Sequence, residues 1–334
     1  MSNIKLLPIG FIVTYVFIIG LCIGSFLNVA ILRGLKGEDV VLKRSHCPNC
    51  KNNLKWYMNI PLLSYIFLRG KCAFCDEKIS FQYPLVEFVT ALSFVASYFA
   101  FGLTLKLLFA WVILSLFIVM SATDFKETVI IDIHAYILLG VGLLYSYLNL
   151  GEINIIQGLI GAAFGFLLFE IFARIGQLLC GCRMFGEGDS LIALGIGAMF
   201  GYKVMLLIFL MSIVIQTLCA IPIMIVNSIK QNKKRLAVSY LFVFVSLVLV
   251  GINNYFKLFQ EGLSFLGFII FVLSGCIWSL KNIIAEIKAK KDDETKQGEE
   301  KFSLMPFGPA LLIASTICFF FLSQIKEFVL NFVS

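Results

Sequence analysis

Long apolar runs interrupted by short polar stretches set the pattern of this chain. The runs fall at 8–32, 84–103, 104–122, 132–150, 153–176, 190–201, 203–228, 237–256, 262–280 and 305–323. Most are close to the roughly 20 residues a helix needs to cross a bilayer. The pattern predicts an all-α polytopic membrane protein with about ten transmembrane helices. The run at 190–201 is the shortest and carries Gly195, Gly197 and Gly201, which predicts a short, broken or closely packed helix. The first run is long enough to span, has only Lys5 as a basic residue before it, and lacks an Ala-x-Ala-like cleavage site. It is therefore expected to stay as a membrane helix rather than be removed as a signal peptide.

Composition agrees with the pattern. Of 334 residues, 60% are hydrophobic and 14% charged, whereas a soluble domain carries about a quarter charged. A soluble core is excluded, and so is a small secreted disulfide scaffold, despite ten cysteines. The net charge of +7 carries information only through placement. With 33–83 in the cytoplasm and all ten runs crossing, 22 of the 27 basic residues lie on the cytoplasmic side, as the positive-inside rule demands. Removing the 190–201 crossing would send ten of those charges to the other side. The expected organisation is a first helix (1–32), a cytoplasmic cysteine domain (33–83), a membrane core (84–228), an insertion with extra helices and a charged loop (229–302) and a last helix (303–334). Residues 286–301 are almost wholly charged or polar and read as a solvated loop. No repeat is visible, nothing points to nucleic acid, and membrane lipid is the one partner the pattern itself requires. The number of copies in an assembly is not legible.

Two C-x2-C pairs, Cys47/Cys50 and Cys72/Cys75, are separated by 21 residues. Each such knuckle curls so that two thiolates meet one ion, and two knuckles complete the tetrahedral sulfur shell that Zn²⁺ prefers. A full shell leaves no open coordination position, so the expected zinc is structural. Lys43, Arg44, Lys51, Lys55, Lys71 and Lys78 surround the pairs and are expected to favour the thiolate forms. Cys22, Cys180, Cys182, Cys219, Cys276 and Cys318 read mostly as small buried hydrophobes.

With only His46 and His134, histidine-based catalysis has little material, and each histidine reads as a local hydrogen-bonding group. Carboxylates at membrane depth are more informative, because they are expensive there and mark function. The candidates are Glu87 and Glu170 inside runs, and Asp124, Asp132 and Asp189 at their cytoplasmic ends. Asp124 is expected to follow the third crossing and Asp189 to precede the sixth, which places both at one depth on one face. Asp189 lies in Gly186-Glu187-Gly188-Asp189, where glycines permit close backbone approach. Two aspartates in a low-dielectric cleft can share one proton and activate water against a peptide carbonyl. Other pairings among the five carboxylates, or ion pairs with Lys126 or Arg183, remain open on this reading alone.

Several motifs together resemble one family. The first helix ends Gly24-Ser25-Phe26-Leu27-Asn28-Val29 with Arg33 beyond, the cysteine segment runs SHCPNC…KCAFC…YPLVE, TDFKETVIID and GEGD follow, and Pro306-Phe307-Gly308-Pro309 opens the last run. This set is similar to the type IV prepilin peptidases, bifunctional leader peptidases and N-methyltransferases of the bacterial inner membrane, over residues 8 to about 228 and 303 to about 323. GxGD is shared with archaeal preflagellin peptidases and presenilin-like proteases, so the combination carries the resemblance. It implies Asp124 and Asp189 as the catalytic pair and Cys47, Cys50, Cys72 and Cys75 as zinc ligands. It further implies a prepilin or type II secretion pseudopilin substrate, cut after a glycine on the cytoplasmic side, then methylated at the new N-terminus with S-adenosylmethionine. Where the family usually has a lysine two residues after the second aspartate, Ser190-Leu191 follow here. The family's Ile-Pro-Asp reads Ile130-Ile131-Asp132. The alternatives are a leader peptidase that does not methylate, and a noncatalytic scaffold or transporter using the carboxylates as a relay.

Overall fold

The computed structural model describes residues 8–39, 45–47, 49–180, 183, 185–230, 235, 237–242, 244, 245, 281 and 306–333. Its helices are α1 (Ile9–Gly34), α2 (Leu63–Phe67), α3 (Gln82–Phe101), α4 (Leu105–Glu127), α5 (Asp132–Tyr147), α6 (Ile155–Cys180), α7 (Glu187–Lys230) and α8 (Gly308–Val333), with a 3₁₀ turn at Trp56–Asn59. The chain divides into two compact units. The first holds residues 1–171, 185–209 and 306–334; the second holds 172–184 and 210–305. Within the second, Ala220 and Ile221 are buried beside Pro222 of α7, and the Ser239 hydroxyl donates to the Arg235 carbonyl at 3.0 Å.

Among the described residues, six helices are long and apolar enough to cross a membrane: α1, α3, α4, α6, α7 and α8. Helix α5, with 16 residues, reaches about 24 Å, short of the ~30 Å hydrocarbon core. Helix α7 carries two of the expected crossings. Its backbone breaks at Gly201 (φ 74°, ψ 170°), and Phe185 and Phe209, on either side of the break, have ring centroids 6.1 Å apart. A straight helix would hold those residues about 36 Å apart, so the chain turns back on itself at Gly201. That dihedral pair belongs to glycine. On either side of the turn, 190–201 and 203–209 are thus antiparallel arms, and the first arm is only about 20 Å long. The expected crossing at 262–280 and the loop at 286–301 lie outside the described residues, and the 237–256 run lies only partly within them.

Two seams of small residues pull the first unit together. Gly20 and Gly24 of α1 lie against Ala91 and Glu87 of α3, where an added Cβ would come within 2.5 Å and 2.7 Å of their Cα atoms. Gly161 of α6 faces Gly197 and Gly201, and Gly165 faces Ala193. In lipid, where apolar contact with tails competes with apolar contact between helices, such close backbone approach is a main source of association. Beside the second seam the Ser146 hydroxyl of α5 donates to the Ala198 carbonyl at 2.5 Å. Leu27 and Ile31 of α1, Val86 of α3 and Val119 of α4 form a buried cluster that joins the first three long helices.

Two local expectations are corrected. Helix α4 runs past 122 to Glu127, so Asp124 lies within its last turns rather than beyond the helix. Thr128 closes it in the left-handed conformation (φ 53°), its N–H returning to the Asp124 carbonyl at 2.8 Å. Of the lone cysteines, Cys318 is buried as expected, but Cys22 and Cys219 are exposed on their helices; Cys182 and Cys276 lie outside the described residues.

Candidate active site

Of the five membrane-edge carboxylates, the structure brings Asp124 and Asp189 together. Asp124 sits near the C-terminal end of α4 and Asp189 in the first turn of α7, each only 5% exposed. They interact electrostatically with one another. Asp132 starts α5 on the exposed side, Glu170 is half-buried on α6, and Glu87 is engaged elsewhere by the Leu62 N–H at 2.8 Å.

Each aspartate is held by a glycine backbone. The Gly186 N–H donates to Asp189 Oδ2 at 3.0 Å. The Gly308 N–H, at the start of α8, faces the Asp124 carboxylate, and a Cβ on Gly308 would collide with Asp124 Oδ2. Gly308 thus has a steric reason to be glycine that its place in the sequence does not reveal. Four phenylalanines fix these donors. Phe185, preceding Gly186, and Phe307, preceding Gly308, meet edge to face at 4.7 Å, and both pack on Phe169 of α6 at 5.1 Å and 5.8 Å. Phe209 closes the group from beyond the Gly201 turn. Edge-to-face ring pairs resist sliding, so the cluster sets where both backbone donors stand. This support went unseen in the sequence, because any one of the chain's 34 phenylalanines carries no signal by itself.

Asp124 Oδ2 and Asp189 Oδ1 are buried without a hydrogen-bond partner among the described residues. Buried polar oxygens normally find partners, and exceptions concentrate at functional sites. Ile130, where the expected Ile-Pro-Asp stretch begins, packs its side chain on Gly188, so the α4–α5 loop braces the GEGD turn. A shallow cleft of about 340 Å³, lined by Leu32, Leu35, Lys36, Lys126, Glu127 and Ile131, opens one helical turn from Asp124. His134 Nδ1 is buried without a hydrogen-bond partner among the described residues.

The second cluster is the cysteine site. The sulfurs of Cys47, Cys50, Cys72 and Cys75 all lie within 4.8 Å of one another, with Cys47 and Cys75 at 3.9 Å. Tetrahedral zinc with Zn–S bonds near 2.3 Å needs sulfurs about 3.8 Å apart, so these residues fit the ion. Two matching turns build the site. The Cys47 N–H bonds the Asn52 carbonyl and the Cys72 N–H bonds the Glu77 carbonyl, while Lys51 and Asp76 take left-handed backbone at the corresponding position of each knuckle. Backbone N–H groups of Phe74 and Cys75 bring the Cys72 thiol down to about 7.

Residues 18–101 match the Bacterial Peptidase A24 N-terminal domain, and residues 111–221 match the Type IV leader peptidase family. A prepilin leader peptidase/N-methyltransferase of Klebsiella pneumoniae is 31% identical over 57% of this chain and 86% of its own length. One from Bacillus subtilis is 36% identical over 60% of this chain and 79% of its own. One from Myxococcus xanthus is 37% identical over 58% of this chain, though the match spans only 57% of that protein. No solved structure matches the chain. The chain belongs to the type IV leader peptidase family, and is an enzyme of the prepilin peptidase class. Neither matched range reaches Gly308 or the 229–302 insertion.

Proposed function

We propose that this membrane enzyme cleaves the leader of type IV prepilins or type II secretion pseudopilins after a glycine, using Asp124 and Asp189. One observation carries the assignment of the pair: two buried aspartates from α4 and α7 meet, each with a backbone N–H on it and one oxygen left unpartnered among the described residues. The pair holds one proton between its two carboxyl groups, because like charges at close range cannot both persist. The ionised carboxylate takes a proton from water as the water oxygen attacks the scissile carbonyl carbon. The protonated carboxyl gives its proton to the carbonyl oxygen. Collapse of the tetrahedral diol then breaks the C–N bond, as the carboxyl that took water's proton gives it to the leaving amine and the other carboxylate takes a proton back from a diol hydroxyl. Gly186 and Gly308 hold the carboxylates through this exchange, and the phenylalanine cluster keeps bulk water from one side.

The chemistry takes place on the cytoplasmic face, as the distribution of 22 of 27 basic residues supports, in the inner membrane. The new N-terminus is then methylated with S-adenosylmethionine as donor. This step rests on the family resemblance and on the relatives' names, which pair the two activities. The four cysteines would hold zinc as a structural ion that closes the domain between α1 and α3.

The test is cleavage of a prepilin in detergent by the wild type, Asp124→Asn and Asp189→Asn, with mass spectrometry of the product. The expected result is a cut after the leader glycine by wild type alone, with one added methyl group when S-adenosylmethionine is supplied. Near wild-type cleavage by either variant would sink the pair. A cut product that never gains a methyl group would leave a peptidase without the second activity.

A further inference from the structure

The cysteine domain presents an apolar face that cleavage and zinc binding do not use. We infer that residues 54–69, together with Phe81, form an interfacial anchor lying in the headgroup–acyl boundary of the leaflet from which α3 starts, with anionic lipid as its partner. The inference rests on the membrane helices and not on the peptidase assignment.

Depth is the first argument. Helix α3 has 20 residues, or about 30 Å, which is no more than the hydrocarbon core requires. Nearly the whole helix is therefore needed to cross. Glu87 is its sixth residue, about 7.5 Å along it. Glu87 nevertheless accepts the Leu62 backbone N–H at 2.8 Å, and is joined to Ser25 of α1. Asn28 of α1 donates to the Tyr83 carbonyl at 3.0 Å and locks the same corner. Leu62 takes a positive φ (59°) with ψ −48°, unusual for a leucine, so the surrounding contacts hold it in place. The loop is thus pinned below the start of α3 and cannot stand clear in water.

Composition of the pinned segment is the second argument. Trp56 and Phe67 are each 80% exposed and Ile66 66%, with Leu63 and Tyr57 also outward and Phe81 at the mouth of α3. Trp and Tyr favour the membrane–water boundary, where an apolar ring and a polar tip are both accommodated. Charge complementarity identifies the lipid. Residues 49–81 carry five basic side chains, Lys51, Lys55, Arg69, Lys71 and Lys78, against Asp76 and Glu77. Such flanking cations reach headgroup phosphates while their stems lie along apolar surface.

The chain has three tryptophans, Trp56, Trp111 and Trp278, so Trp111→Phe with Trp278→Phe leaves Trp56 as the only reporter. The full-length protein is placed in nanodiscs of phosphatidylcholine, with and without phosphatidylglycerol, and its fluorescence is read against acyl-brominated lipid and against aqueous iodide. The expected result is loss of Trp56 emission with brominated lipid, little loss with iodide, and deeper quenching when phosphatidylglycerol is present. Quenching by iodide and not by brominated lipid overturns the anchor. If a prepilin added in that case shields Trp56 from iodide, the face belongs to a protein substrate and the lipid assignment is wrong. Hydrogen exchange of 56–68 in the unsubstituted enzyme guards against misfolding of the variant. Slower exchange in discs containing phosphatidylglycerol supports the anchor, and fast exchange independent of lipid overturns it.

Discussion

The cysteine site and the aspartate pair are assembled in opposite ways. All four sulfurs come from 29 consecutive residues, and each knuckle is closed by hydrogen bonds to its own neighbours. The aspartates and their backbone donors come from residues 124, 186, 189 and 308, and meet only because three long helices pack closely. A local site depends on its turns and an ion; a distributed site depends on the whole fold around it. Damage to the membrane core should therefore disable the aspartates and spare the zinc, and damage to the knuckles should do the reverse.

The sharpest break in that comparison is chemical. Asp124→Asn and Asp189→Asn should each lower prepilin cleavage by about 10⁴-fold, with zinc content unchanged by metal analysis. Gly308→Ala is the structural counterpart. Its Cβ would collide with Asp124 Oδ2, and we expect a fall in kcat of about 10²-fold with KM and zinc little altered. Gly161→Leu should open the seam with Gly197, destabilising the fold by about 3 kcal/mol, read as a lower midpoint in detergent unfolding and a parallel loss of cleavage. Cys72→Ser should remove bound zinc and loosen residues 45–81 to proteolysis, while α4 and α7 keep the aspartates together. Complete loss of cleavage in well-folded Cys72→Ser protein would show that the two sites are not independent. The smallest effect belongs to Ser146→Ala, which removes the hydroxyl from the Ala198 carbonyl at a cost of about 1 kcal/mol, measured as a small shift of the same unfolding midpoint.

The same contrast explains what the sequence disclosed. The knuckles were legible because zinc chemistry fixes a short spacing, and the structure places the four sulfurs within one ion's reach. The long helices were legible because crossing lipid demands long apolar runs. Asp124 and Asp189 stood out as carboxylates at membrane depth, but their pairing came from resemblance, since nothing local states which helix ends will meet. Gly308 and the Phe169, Phe185, Phe209 and Phe307 cluster were not legible as support for the site, because their meaning lies wholly in contacts between distant segments. The end of α4 was misplaced by five residues because Asp124, Lys126 and Glu127 look like the edge of an apolar run, whereas the helix continues until Thr128 turns left-handed.

The position of Gly308 also bears on how the enzyme is made. Both aspartates are synthesised well over a hundred residues before the glycine that positions Asp124. A nascent chain at residue 228 would thus own its two acids and still lack the backbone donor that sets one of them. If Asp124 and Asp189 do the chemistry, the pair is therefore expected to be complete only once α8 has been made. Splitting the gene between codons 228 and 303 tests this directly: the front piece alone should be inert, and co-expression with the piece that carries α8 should restore cleavage.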